Sequence, residues 1–347
     1  MDDLRIDAAR FRADFESLAE IGSTGNGGVH RPALGEADLA ARAWLRERIA
    51  AAGLELQVDG AGNHFARLAC GPEGAPSLLL GSHLDSVPHG GRFDGALGVV
   101  AALEVLVTVQ NAGLALPVHL QAVDFTDEEG TLVGLLGSSA LAGTLDAEHL
   151  REPRGGRAAL DTGLARAGLT EAGLLASRRD PALLAGYLEL HIEQGRRLFD
   201  AGVDIGIVTA IVGIGSYRLY FLGQANHAGT TTMDARRDAG LGASAFVLAA
   251  RERVLRDYPD CVANVGEMTF KPGAFNIVPA RAELALEYRS PRADEMERLG
   301  GALIEQARAA AERFDLGLEV EWLGQHEPAP MDERARAAVA AAAEALG

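Results

Sequence analysis

Cysteine is almost missing from this chain. There are two, Cys70 and Cys261, far apart in sequence. A disulfide framework therefore does not fit, and a reduced, cytoplasmic setting is the simpler expectation. Basic residues are also scarce, with 32 Lys and Arg against 49 Asp and Glu, for a net charge of -17. Nucleic acid and anionic membrane both demand a basic face, so neither is expected as a main partner. No apolar run approaches the roughly 18 residues of a membrane span. The opening "MDDLRIDAARFRADF" has neither the basic start nor the apolar stretch of a secretory signal. Internal repeats and low-complexity runs are absent too. What remains is a chain of 347 residues, 48% hydrophobic and 23% charged. That is the balance of a soluble globular protein with one large domain or two ordinary ones.

Apolar spacing predicts helices over residues 7–20 and 36–53, with Gly53 as a stop for the second. The glycine-rich "GSTGNGGVHRPALG" between them is a loop. No strand leads into it and no Lys-Ser/Thr follows, so it does not make a phosphate cradle. Beyond it, "SLLLGSH" reads as a buried strand, "DGALGVVAALEVLVTVQNAG" as a helix, and "PVHLQAVDF" and "AGYLELHIEQG" as further strands. Alternating strands and helices predict an α/β fold with a mainly parallel sheet. Near Ile211 the pattern changes to β-α-β-β-α-β, the order of a split βαβ, ferredoxin-like α+β module of about a hundred residues. The expected division is a catalytic domain over 1–210 and 325–347, with 211–324 inserted into it.

Three of the predicted strands end in groups able to bind a metal. The first ends in His83 and Asp85, with Asp94 across the turn; the second in Asp127, Glu128 and Glu129; the third in His191 and Glu193. Ligands of an open α/β sheet bind at the carboxyl ends of its strands, so these groups should converge. Mixed imidazole and carboxylate donors suit zinc, manganese, cobalt or nickel. Asp85, two residues from His83 on extended chain, is placed to fix the tautomer of a ligating imidazole. Of the adjacent Glu128 and Glu129, one can ligate while the other stays free as a general base. His30, His64, His89, His119, His149 and His326 carry no such context. Ser82 and Ser86 lack a nucleophile elbow.

The segments "GSHLDSVPHGGRFDGALG", "DFTDEEG", "ELHIEQG", "NHAGTTTMDARRDA" and "FNIVPARAELALEYRS" together resemble the amidase/carbamoylase branch of the M20 metallopeptidase superfamily. That branch contains N-carbamoyl-L-amino acid hydrolases, allantoate amidohydrolases and β-ureidopropionases. The resemblance implies a zinc-exopeptidase-like catalytic domain with an inserted lid and dimerisation domain, hence a homodimer. It implies two divalent cations held by His83, Asp94, Glu129 and His191, with Asp94 bridging, Glu128 as general base and Asp85 behind His83. It places His227, Asn276 and Arg289 on the substrate, together with Gln194 and, more weakly, Arg237. The implied reaction is hydrolysis of the ureido bond of an N-carbamoyl-L-amino acid.

The family carries one more ligating histidine, in a Gly-His-Asp motif near its C-terminus. Here the last histidine is His326, in "QHEPAP", and nothing matches that motif. The expectation is a C-terminally truncated version of a longer protein, with an incomplete second metal site and poor activity. Two other readings stand beside the main one. Allantoate or β-ureidopropionate is the alternative substrate. A non-catalytic metal-binding or dimerising protein is the alternative of another class.

Overall fold

A computed structural model describes residues 4–346. Residue 347, where the sequence reading puts the truncation, lies outside them. The chain divides into two compact units, Met1–Arg197 and Leu198–Gly347.

The first unit is built on a five-stranded sheet. Its strands are β1 (Glu55–Val58), β2 (His64–Leu68), β3 (Ser77–His83), β4 (His119–Phe125) and β5 (Leu184–Leu188), in the order β1-β2-β4-β3-β5. The sheet is mixed. β4, β3 and β5 run parallel, while β1 and β2 form an antiparallel extension beside β4. That extension is a hairpin closed by Asp59, whose carboxylate accepts the Ala61 and Asn63 amides. Every residue of β4 is buried, as expected of a central strand covered on both faces. β5 is shorter than the sequence pattern predicts. Its pairing with β3 ends at Leu188, so the HIEQG segment follows the strand as irregular chain.

Helices α1 (Ala8–Ala19), α2 (Glu36–Ala51) and α3 (Ala96–Asn111) cover one face. α1 starts where Asp7 caps the amides of Ala9 and Arg10. α3 is apolar almost all round and buries Val99, Leu103 and Leu106 against Leu45, Ile49 and Leu84. On α2, however, the inward face carries two charged residues one turn apart, Asp38 and Arg42, both fully buried. Arg42 lies 3.2 Å from the Asp38 carboxylate and 3.5 Å from that of Asp124 on β4, and it donates to the Gly62 carbonyl and the Thr126 hydroxyl. Burial pulls the guanidinium toward neutrality, but the neighbouring Asp38 and Asp124 outweigh that and raise its pKa.

The second unit contains β6 (Gly213–Leu222), α4 (Ala239–Asp257), β7 (Val262–Lys271), β8 (Arg281–Ser290), α5 (Ala293–Arg313) and β9 (Gly317–His326). The sheet order is β7-β8-β6-β9, antiparallel throughout, which is the split βαβ topology that the sequence predicts. α4 and α5 lie on one face. Phe246, Met296, Leu299 and Leu303 of the helices pack on Leu219, Phe221, Leu284 and Leu286 of the strands. A helix over Glu333–Leu346 follows, with no buried residue. Among the described residues no helix is long and apolar enough to cross a membrane.

Breaking the buried pair on α2 should be costly, because removing one partner strands the other's charge. Arg42→Ala is expected to lower unfolding free energy by about 3–5 kcal/mol in denaturant titrations. A loss below about 1 kcal/mol would show that the pair is not a keystone of this face.

Candidate metal centre at the strand ends

Parallel pairing sets the C-terminal ends of β4, β3 and β5 side by side, with His83 opposite Phe125 and Leu80 opposite Leu188. Each strand then delivers its polar group to one place. His83, on the last residue of β3, is buried. Its Nδ1 is 3.0 Å from the Asp85 carbonyl, so Nδ1 carries the proton and Nε2 the lone pair. His191 repeats the arrangement, with Nδ1 2.8 Å from the Ile192 carbonyl. Both Nε2 atoms face one oxygen: Asp94 Oδ1 lies 3.1 Å from that of His191 and 4.0 Å from that of His83. The second Asp94 oxygen accepts the Gln194 amide at 2.8 Å. Asp94 does not cap α3; the turn into the helix is made by Gly95.

Asp85 does something broader than orient an imidazole. Its carboxylate is 3.7 Å from His83 Nδ1, and its two oxygens accept the Glu128 and Glu129 amides at 3.1 and 3.2 Å. It thereby ties the end of β3 to the turn after β4. Glu128 Oε2 stands 3.5 Å from His83 Nε2. Asp127 is used differently: its buried carboxylate folds the next loop by accepting the Leu132, Val133 and Gly134 amides.

The electrostatics follow from this crowding. Burial pushes Asp85 up to about 7 against the pull of His83. Glu129 is raised as well, by burial, with His83 opposing and Asp94 and Glu128 adding repulsion. Burial opposes protonation of His83, but Asp85 and Glu128 prevail and its pKa rises. The Asp94 carboxylate lifts His191 to about 9, and Asp94 is lowered in return. So much negative charge attracts protons, and a cation would satisfy it equally.

A divalent cation fits these residues. The ligand atoms of His83, Asp94 and His191 all lie within 4.8 Å of one another. Asp94 Oδ1 is buried with no hydrogen bond of acceptable geometry, although the Nε2 atoms of His191 and His83 lie 3.1 and 4.0 Å from it. Without a metal, protons on the imidazoles supply the positive charge this oxygen lacks, and a cation held by the same three atoms would replace them. Glu129 falls outside this three-residue cluster. His83 is also wedged from behind. Gly95 has φ +63, and a Cβ there would come within 2.4 Å of the His83 ring.

The remaining candidates belong to the second unit. There the segment Asn226–Ala228 pairs with Asn276–Val278, through Ala228 N to Asn276 O and Val278 N to Asn226 O, so His227 and Asn276 come together. This is the Leu222 end of the sheet, where Gly223 N also donates to Ala280 O. Arg289 is at the opposite end: it pairs with Ile214, whereas Arg281 pairs with Leu222. Eight residues of strand separate the two positions, about 26 Å. Arg289 bonds its neighbour Glu287 at 2.7 Å, and Arg237 bonds Asp315. Sequence reasoning passed over Arg236, which donates to the carbonyls of Ala228 and Thr231 and so shapes the His227 loop. It also passed over Glu189, whose carboxylate takes the hydroxyls of Ser82 and Tyr187 just before the HIEQG segment. The "DARRDA" pair and the acidic residue at a strand end were the available signals.

Strand-end donors on an open α/β sheet, with an α+β second unit, define a class of metal-dependent hydrolase scaffold. Residues 79–347 match peptidase family M20/M25/M40. The chain is 36% identical over 332 residues to an N-carbamoyl-L-amino acid amidohydrolase of Geobacillus stearothermophilus, covering 95% of this chain and 81% of that protein. It is 31% identical over 329 residues to an allantoate amidohydrolase of Bacillus subtilis, covering 93% and 79%. Among solved structures, a hydantoinase/carbamoylase family amidase from Burkholderia ambifaria superposes with a TM-score of 0.91 at 32% identity, over 99% of this chain and 84% of that one. The chain belongs to peptidase family M20/M25/M40. Both relatives named above are amidohydrolases.

Proton and cation compete for the same lone pairs. With His191 raised from about 6.5 when unfolded to about 9 when folded, the metal-free chain gains stability from its imidazolium that is complete below about pH 6.5. That gain is lost as pH rises through about 9. Apparent affinity for zinc or cobalt should therefore climb steadily between about pH 6 and 9, with proton release on binding. A pH-independent titration would take His191 out of the ligand set.

Proposed function

We propose that the chain hydrolyses the ureido C–N bond of an N-carbamoyl-L-amino acid, giving the amino acid, carbon dioxide and ammonia. One observation carries the reading: a three-ligand cluster, His83, Asp94 and His191, with the carboxylate of Glu128 3.5 Å from His83 Nε2. A passive metal site has no use for that extra carboxylate. The substrate class is supported by the Geobacillus relative's name. Allantoate is the second reading, on the Bacillus relative. The free thiols Cys70 and Cys261 suit a cytoplasmic location.

His83, Asp94 and His191 would hold one divalent cation, and Asp94 with Glu129 would contribute to a second. Bound there, such cations lower the pKa of water from about 15.7 toward about 7 and polarise a carbonyl oxygen. Glu128 takes the proton of the attacking water and hands it to the departing nitrogen. Asp85 keeps Glu128 in place through its amide. Gln194 fixes the Asp94 carboxylate from the far side. His227 donates to the oxyanion, a contact worth roughly 3 kcal/mol in the transition state. Asn276 and Arg289 bind the substrate's carboxylate end, Arg289 as a charged fork. Arg237 has a lesser part at the rim.

Residues 211–324 act in this reading as a lid and dimerisation domain. Two observations support a homodimer. Leu241, Leu248 and Leu255 recur every seven residues on α4 and are 39%, 65% and 63% exposed, beside the unpaired edge of β7. The separation of about 26 Å along β8 also means that one ureido molecule cannot touch Asn276 and Arg289 of the same chain. A site that uses both draws them from two copies.

Ammonia release from N-carbamoyl-L-amino acids, allantoate and β-ureidopropionate, with and without chelator, tests the reaction. Chelator-sensitive release from one of them is expected, and silence across all three would defeat the proposal. Glu128→Gln should lower turnover by about 10²–10⁴-fold with metal content unchanged; loss of metal would make Glu128 a ligand instead. Asn276→Ala and Arg289→Ala chains, each impaired alone, should regain activity when mixed and allowed to exchange subunits. No recovery would return both residues to a single chain's site or to none.

A further inference from the structure

We infer that Arg31 is a positioning residue for the metal centre, acting through the main chain of His83–Ser86; this rests on the metal-hydrolase reading above. Arg31 lies in the glycine-rich loop before α2 and is fully buried. A buried guanidinium is usually matched to carboxylates. Here all the side-chain hydrogen bonds go to main-chain carbonyls instead: Leu84 O at 2.9 Å from Nε, and Leu18 O and Ile21 O at 3.3 and 3.2 Å from Nη1. Its own backbone completes the grip. Arg31 N donates to Ser86 Oγ at 2.9 Å, and Ser86 N donates to Arg31 O at 2.8 Å.

These bonds bracket Asp85. On one side the Leu84 carbonyl is held by Arg31, while the Leu84 amide is held by Asp124 Oδ1 at 2.9 Å. On the other side Ser86 is held at both its amide and its hydroxyl. The peptide planes between His83 and Ser86 therefore have fixed directions. Two things depend on those directions. The Asp85 carbonyl must face back to take the Nδ1 proton of His83, and the Asp85 carboxylate must face the Glu128 and Glu129 amides. Room for the clamp comes from Gly22, at φ +74, where a Cβ would approach Arg31 Cγ to 2.9 Å. An apolar side chain would fill the same volume with no desolvation cost, but it could not aim a carbonyl.

The test uses the full chain and cobalt(II) alone, with affinity measured by competition against a chromophoric chelator and metal-free thermal unfolding in parallel. Arg31→Met should weaken cobalt binding by about 10–100-fold, the range for residues that orient ligands from behind. Arg31→Lys should recover part of that loss, since an ammonium reaches one carbonyl but cannot reproduce the fork. Ser86→Ala, which removes the acceptor of the Arg31 amide and the hydroxyl's bond to Val87 O with little change in volume, should weaken binding by a smaller factor. Phe246→Ala, a core deletion in the second unit, should lower the unfolding temperature and leave cobalt affinity alone. If Arg31→Met and Ser86→Ala bind cobalt as tightly as the unaltered chain, whatever their unfolding temperatures, Arg31 serves stability only and the inference is overturned. If Arg31→Met does not fold, wild-type affinity in a folded Ser86→Ala chain overturns it equally. Failure of the unaltered chain to bind cobalt would instead defeat the metal-centre reading itself.

Discussion

The two hydrogen bonds that the Asp85 carboxylate accepts from the Glu128 and Glu129 amides hold the candidate centre together. They join the end of one strand to the turn after its neighbour, so His83 and Glu128 cannot drift apart without breaking them. A cluster of carboxylates this dense is self-repelling in a medium of low polarity. The fold answers with neutral donors and not with countercharges alone. Amides face Asp85 and Asp127, a carboxamide faces Asp94, and hydroxyls face Glu189. Two buried guanidiniums, Arg31 and Arg42, add positive charge that is felt by Asp85.

Much of this was legible in the sequence because it is periodic. "SLLLGSH" and "RAELALEYRS" become strands with those same bounds, and the βαββαβ order of the second unit follows from alternating strand and helix patterns. The hairpin of β1 and β2 was not legible. Its strands are short, and their pairing depends on Asp59 closing a five-residue turn. β5 was read as too long because apolar alternation continues through Leu190, whereas ladder pairing stops at Leu188. Arg31 was invisible for a related reason. It sits in irregular chain, and its partners are carbonyls, which carry no sequence signature. Local pattern reports which face a residue takes on a regular element, and it says little about what holds a loop.

The second unit teaches something complementary. Motif context put His227, Asn276 and Arg289 in one group, but strand register sets Arg289 at the far end from the other two. Sequence proximity of 276 and 289 hides a full strand length. A strand is a ruler, and register converts residue numbers into distance.

The wedge of Gly95 against the His83 ring has a kinetic side. A ring with backbone at its back and a carbonyl on Nδ1 keeps one orientation whether or not anything is bound. His191 shares the carbonyl on Nδ1, but it lies beyond the last ladder pair of its strand and its side chain is one-third exposed. Of the two imidazoles, then, His191 is the one that can swing aside. Exchange of a bound ion would begin and end there, so its lifetime in the site would be set by the motion of an irregular segment more than by the strength of any single bond.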